Sequence, residues 1–296
     1  MLDIILDTVI DALKILPFLF LAYLLMEYIE HKTTKKSQEA IKKAGRIGPF
    51  IGGILGVIPQ CGFSVAATNF YAARIISLGT LFAVYLSTSD EMLPILLSEA
   101  VPLQTIASIL LVKFAIGVIA GFIIDGVISL FSRKKEQEGK EEDHAMHIEE
   151  MCDHDHCDCE KGGILKSAIK HTLQILMFIV LLSFILNIVI AIIGEETLAG
   201  IISNQPILGP ILACLIGLIP NCASSVILTQ LWLENMINVS TMIGGLLVNA
   251  GVGLLVLFRV NKKVKENFAI VFLLYLIGFI SAIGLNAIGL NQWIIR

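Results

Sequence analysis

Charge is the scarcest feature of this chain. Of its 296 residues, 16% are Asp, Glu, Lys or Arg, against 56% hydrophobic residues and a mean hydropathy of +0.85. Charge this sparse and apolar runs this long exclude a soluble globule. The start lacks a basic leader region, carrying Asp3, Asp7 and Asp11 instead, and no small-residue cleavage site follows. The first apolar run is therefore expected to stay in the mature chain. No Walker A pattern is present, which leaves an ion gradient or the membrane potential as the driving force. The apolar segments hold no Cys-x-x-Cys pair and no evident quinone or haem ligand set, which argues against a membrane thiol oxidoreductase. Six cysteines are divided between apolar segments (Cys61, Cys214, Cys222) and one polar loop (Cys152, Cys157, Cys159). That is unlike a secreted disulfide scaffold, and free thiols are expected.

What is present is a series of membrane-length runs. Segments at 9–29, 78–97, 103–131, 165–193, 239–258 and 267–290 are each read as a continuous span, since at about 1.5 Å per helical residue they can cross ~30 Å of hydrocarbon. Two further runs are interrupted, one by Pro59-Gln60-Cys61 and one by Pro220-Asn221-Cys222. Basic residues mark one side of the membrane: Lys32, Lys35, Lys36, Lys42, Lys43 and Arg46, then Arg133, Lys134 and Lys135, then Arg259, Lys262, Lys263 and Lys265. The connections at 98–102, 194–197 and 234–235 lack Lys and Arg. The positive-inside rule puts the first set in the cytoplasm and both termini outside an inner (plasma) membrane. Returning to the cytoplasm between residues 46 and 132 needs an even number of crossings. Two spans plus a hairpin at 47–73 satisfy this, and a single kinked span does not.

An internal repeat supports the same topology. At an offset of 161, Gly48-Pro49 matches Gly209-Pro210, Gly56 matches Gly217, and Pro59, Cys61, Ser64, Val65 and Thr68 match Pro220, Cys222, Ser225, Val226 and Thr229. The expected fold is all-α, a polytopic membrane bundle of inverted repeats, each with one span, a broken-helix hairpin and two spans. Its divisions are residues 1–131, a cytoplasmic loop at 132–163, and residues 164–296. The competing reading is an ordinary bundle whose Pro and Gly only kink helices.

In such repeats, unwound hairpin tips meet near the midplane, where substrate and coupling ions bind. The tips offer Gln60, Cys61, Asn221 and Cys222, and each restarting half-helix points a positive dipole end at the site, favouring anions or a thiolate. Ser64 and Thr68, with Ser225 and Thr229, recur at four-residue spacing on one helical face. Cys214 reads as small packing. The halves differ in charge: Ser87-Thr88-Ser89-Asp90-Glu91 in the first half meets Val248-Asn249-Ala250-Gly251-Val252 in the second. A carboxylate in mid-membrane is a functional hypothesis by default, here with Asp90 as the primary ligand or proton carrier and an ion pair with Lys113 as the alternative. Asp125 is expected near the cytoplasmic edge in a structural role. The loop set Cys152, His154, His156, Cys157 and Cys159 suits Zn, Cu(I) or another thiophilic ion, captured or sensed by a flexible site.

On the two Pro-amide-Cys breaks (Pro59-Gln60-Cys61-Gly62 and Pro220-Asn221-Cys222-Ala223-Ser224-Ser225), the run Ser87–Glu91 and the His/Cys-rich loop, the chain resembles the ten-segment heavy-metal exporters related to arsenic efflux permeases. The resemblance covers nearly the whole chain, and it implies export of a metal or metalloid, with arsenic and manganese both suggested for such proteins. Cys61, Cys222 and Asp90 with their polar neighbours carry it over. The expected protein is thus a secondary transporter and not an enzyme. Its partners are a metal or metalloid and the lipid bilayer, with a coupling proton and a homo-oligomer also admitted. No cofactor is required beyond a metal as substrate or loop ligand, and no nucleic acid is involved. The alternatives are a membrane thiol oxidoreductase using Cys61 and Cys222 as a redox pair, disfavoured as above, and a metal-responsive membrane receptor in which the loop senses and the bundle anchors.

Overall fold

The computed structural model describes residues 47–58, 61–89, 92–137 and 207–290, with scattered helical positions between residues 10 and 24 and between 169 and 188. Among the described residues all regular structure is helical. Five helices lie in the first half: α1 (Gly48–Val57), α2 (Cys61–Ala72), α3 (Leu78–Ser87), α4 (Met92–Ser98) and α5 (Leu103–Gln137). Five follow in the second: α6 (Leu208–Gly217), α7 (Cys222–Leu233), α8 (Val239–Val248), α9 (Gly253–Val260) and α10 (Val264–Ala287). Three stretches are long and apolar enough to cross a membrane: Leu103–Leu130, Val239–Val260 and Val264–Ala287.

The repeat read from the sequence is a repeat of structure. The first residues of α2, α3, α4 and α5, shifted by 161, are those of α7, α8, α9 and α10. Small features follow the register. Ser77 caps α3 by accepting from the Thr80 amide, and Asn238 caps α8 by accepting from the Thr241 amide. Arg74 and Asn235 both take the left-handed backbone, at φ 57° and 60°. Each closes its helix with the same turn, Ile75 N–H to Phe70 C=O at 2.8 Å and Met236 N–H to Leu231 C=O at 2.9 Å.

Within each half, three helices pack as a unit, α1 with α3 and α5, and α6 with α8 and α10. The central members α3 and α8 are buried from Gly79 to Ser87 and from Val239 to Val248. Apolar side chains of the outer helices, among them Leu111, Ile119, Phe268 and Phe272, are exposed. Lipid can take those outer faces, so association inside the bundle depends on close packing, which small residues allow. A Cβ on Gly56 would lie 2.6 Å from the Val84 carbonyl, and one on Gly217 would lie 2.1 Å from the Gly245 carbonyl, the register-matched contact.

The same contacts settle the hairpin. Along α1, Gly48 faces Thr80 and Gly56 faces Val84 and Ser87, so α1 and α3 run parallel. Since α2 ends at Ala72 and α3 begins at Leu78, α2 must return to the end where α1 began. The chain therefore reverses between α1 and α2, as the crossing argument required. Each of these helices has at most twelve residues, too few to cross ~30 Å of hydrocarbon.

The spans read at 78–97 and 239–258 are each interrupted as helices, although Val239–Val260 keeps the length and apolarity of a membrane span: α3 stops at Ser87 and α4 starts at Met92, while α8 stops at Val248 and α9 starts at Gly253. The causes are local. The Thr88 hydroxyl donates to the Val84 carbonyl at 2.7 Å as the backbone turns extended (ψ 130°). Asn249 Oδ1 accepts from the Gly251 amide at 3.0 Å, and Gly251 takes φ 54°. Short polar side chains that bond their own backbone compete with the helix, and Gly tolerates the left-handed step.

Asp125 has the structural role expected of it. Its carboxylate accepts from the Ser77 hydroxyl at 2.6 Å and from the Gly79 amide at 2.8 Å, capping the start of α3. Replacing it by alanine is expected to cost about 1–3 kcal/mol, the range for losing charge-assisted bonds in a partly buried site. A lower Tm in detergent for Asp125→Ala, with Asp125→Asn between it and the native chain, is the measurement.

Candidate functional site

The site is built where broken helices of the two halves meet. α2 packs on α9 and α7 packs on α4, each pair joining one half to the other, and α3 packs on α8. The α2–α9 contact is polar at its centre. The Thr68 hydroxyl lies 2.7 Å from the Ser64 carbonyl, 2.6 Å from the Tyr85 hydroxyl and 3.2 Å from the Gly253 carbonyl, and Tyr85 also reaches Gly253 at 3.3 Å. Gly253 lets the helices approach closely there, since a Cβ on it would sit 3.0 Å from Ser64 Cβ and 3.1 Å from Ser64 Oγ. In the second half the Thr229 hydroxyl donates to the Ser225 carbonyl at 2.7 Å, as Thr68 does to Ser64. Ser64, Thr68, Ser225 and Thr229 are all buried. Both threonine hydroxyls thus have backbone acceptors in reach, so what they can offer a cargo is oxygen lone pairs.

The break after α3 is tied to the hairpin tip. Ser89 Oγ donates to the Val57 carbonyl at 2.8 Å, joining the α3–α4 junction to the end of α1. Lys113, wholly buried on α5, donates to the Thr88 carbonyl and, at 3.1 Å, to the Leu246 carbonyl of α8. Ser87 is buried, and its hydroxyl has no hydrogen-bond partner among the described residues. At the second tip Asn221 is the N-cap of α7, accepting from the Ala223 amide at 3.3 Å, while the Ser224 hydroxyl donates to the Asn221 carbonyl at 2.7 Å. Asn249 is buried at the α8–α9 junction.

Of the residues read as site candidates, Ser64, Thr68, Ser87, Thr88, Asn221, Ser225, Thr229 and Asn249 are therefore interior and lie at or within two turns of a helix break. Cys61 and Cys222 are the first residues of α2 and α7, with the backbone alone described there. Gln60, Asp90, Glu91 and the loop set Cys152, His154, His156, Cys157 and Cys159 lie outside the described residues. Cys214 is a buried free thiol among packed helices, as expected for a packing residue. Among the described residues no group of three or more His, Cys, Asp or Glu comes together. The sequence reading missed Tyr85 and Gly253, named Ser89 only within the run Ser87–Glu91, and gave Lys113 weight only as a partner for Asp90. The signal for Ser89 and Gly253 was present in the helix-breaking composition of Ser87–Ser89 and Asn249–Gly251. For Tyr85 no local signal exists, because its partners are 17 and 168 residues away.

A profile for one family, described by architecture and proposed cargo as the 10TM heavy-metal exporters, matches residues 1–162 and 142–283. The chain belongs to this family. No curated protein and no solved structure matches it. As a 10TM heavy-metal exporter the chain is a multi-pass membrane protein. The described residues supply two hairpin arms, one broken span and one long helix to each half, and the spans read from the sequence at 9–29 and 165–193, which lie largely outside the described residues, would bring the number to ten.

Proposed function

We propose that this exporter is a secondary active transporter that moves a heavy metal or metalloid out of the cytoplasm by alternating access. Its two halves are inverted repeats in the plasma membrane, with both termini outside. The observation that carries the reading is the junction itself. Half-helices from both halves end and restart around buried hydroxyls and carbonyls and the Lys113 ammonium. Unwound backbone at membrane depth is tolerated where it lines a cavity or a site. Cys61 and Cys222, at equivalent helix N-termini, would supply thiolates to a soft cargo such as arsenite. Asp90, Gln60, Asn221 and Asn249 would supply oxygens to a harder ion such as manganese. The His/Cys-rich loop would capture cargo on the cytoplasmic side, with a proton gradient as the driving force.

The test is uptake into inverted vesicles across a panel of metals and arsenite, with and without a pH gradient, alongside the Cys61→Ser, Cys222→Ser double variant. A thiophilic cargo is expected to lose at least about tenfold in rate in the double variant, since each lost first-sphere thiolate is worth more than the ~1.4 kcal/mol of one decade. Manganese uptake that is unchanged in the double variant assigns the cargo to the oxygen ligands. Native vesicles that accumulate nothing from the panel overturn the transport reading.

A further inference from the structure

The ammonium of Lys113 sits on helix ends that belong to different halves. It donates to the carbonyl of Thr88, the C-cap of α3, and at 3.1 Å to the carbonyl of Leu246 in the last turn of α8. Carbonyls in the last turn of a helix lack an intrahelical N–H partner and form the negative end of the helix dipole. One fully buried cation therefore faces two such ends across the contact between the halves. Four residues further along the same face of α5, Gly117 leaves room for Ser87. The Ser87 hydroxyl lies 2.5 Å from where a Cβ on Gly117 would stand, and it is buried and unpartnered among the described residues. A buried hydroxyl without a partner is costly, so Ser87 is a polar position this packing leaves unsatisfied.

Carbonyl ends of broken half-helices are where transporters of inverted repeats hold a coupling alkali cation. Here the chain supplies a positive charge of its own at such ends. The register-matched position in the second half is Leu274, so a single lysine serves both repeats. We infer that Lys113 is a resident cation that takes the place of a coupling alkali ion between the repeats, with the Thr88 and Leu246 carbonyls among its ligands. Its charge is tethered to α5, so it joins the halves without being carried across the membrane. The functional consequence rests on the transport reading above, and the binding consequence does not.

The experiment compares the full-length native chain with Lys113→Ala, Lys113→Met and Lys113→Arg in inverted vesicles and in detergent. The media contain sodium, N-methylglucamine or ethylammonium as the sole monovalent cation. The native chain is expected to transport equally in all three. Lys113→Ala is expected to fall at least about tenfold in N-methylglucamine, because an uncompensated pair of buried helix ends replaces a bonded charge. Sodium or ethylammonium, small enough for the vacated space, should restore it. Lys113→Met fills that space with an apolar chain and should not be restored, while Lys113→Arg keeps its activity. In detergent the Tm of Lys113→Ala should rise with sodium or ethylammonium and that of the native chain should not. This arm reads even if no cargo is found in vesicles. The inference is overturned by a native chain that needs sodium, or by Lys113→Ala that is equally active without a small cation. It is also overturned by Lys113→Ala whose activity and Tm ignore every cation offered.

Discussion

Replacing Gly217 by leucine is expected to leave almost no correctly folded protein in the membrane, while Gly126→Ala has no effect. Gly217 ends the short apolar helix α6 and Gly126 lies in the long apolar helix α5, so apolar composition does not separate them. Geometry does. A Cβ on Gly217 would stand 2.1 Å from the Gly245 carbonyl and 3.0 Å from its carbonyl carbon, all backbone of α8 that no rotamer change can move. At Gly126 nothing lies within 4 Å. Overpacking a core with flexible neighbours typically costs about 1–3 kcal/mol. Here the neighbour is a helix backbone, so α6 and α8 must separate along their length, and the packing that holds helices together in lipid is lost with it. Gly217→Ala should already lower the monodisperse fraction in size-exclusion chromatography, and Gly217→Leu should abolish it. The equivalent Gly56→Leu, facing Val84 at 2.6 Å, should behave the same way. Near-native yield of Gly217→Leu would mean that α6 does not pack where the structure puts it.

These glycines also show what in the fold was legible in the sequence. Gly56 and Gly217 match in register, and they turn out to serve one interface in each half. The hairpin reversal could be read from charge bias, because a turn must return the chain to the basic side. The breaks at Thr88 and Asn249 could not be read from hydropathy. An unwound junction whose residues are buried keeps the same apolar average as a continuous helix, and only the Ser-Thr-Ser and Asn-Ala-Gly runs betray it. The site was half legible for the same reason. Side chains close in sequence to a break, such as Ser87, Asn221 and Asn249, were found. Tyr85 and Lys113 owe their roles to partners brought together by the packing of one half on the other, and periodicity carries no information about that.

On the alternating-access reading proposed above, Glu266→Gln is expected to shift the resting population by about 30- to 150-fold toward the state open on the side of Arg74. The carboxylate of Glu266, in the first turn of α10, accepts from Arg74 Nη1 at 2.9 Å and Nη2 at 3.1 Å and also from the Tyr71 hydroxyl. Arg74 stacks over the Tyr71 ring at 4.9 Å, and the carboxylate raises its guanidinium above the ordinary value, so the cation does not titrate away. This clamp ties the α2–α3 turn of the first half to α10 of the second. The register-matched residues, which the inverted-repeat reading puts at the other end, are Trp232, Asn235 and Thr105, which cannot form an ion pair. A contact made at one end only stabilises the state closed at that end, and its removal moves the equilibrium by its differential free energy. Two charge-assisted bonds in a partly exposed site, with side chains 24% and 25% exposed, are worth about 2–3 kcal/mol here, which gives the stated range at ~1.4 kcal/mol per decade. Ala73, fully buried beside Arg74, is the reporter: an Ala73→Cys thiol should react with an impermeant maleimide in inverted vesicles at least about tenfold faster when Glu266→Gln is added. Transplanting the clamp with Asn235→Arg and Thr105→Glu should slow that reaction in the same background. Unchanged labelling in a well-folded Glu266→Gln would make the ion pair a static staple between the halves, with no share in the transport cycle.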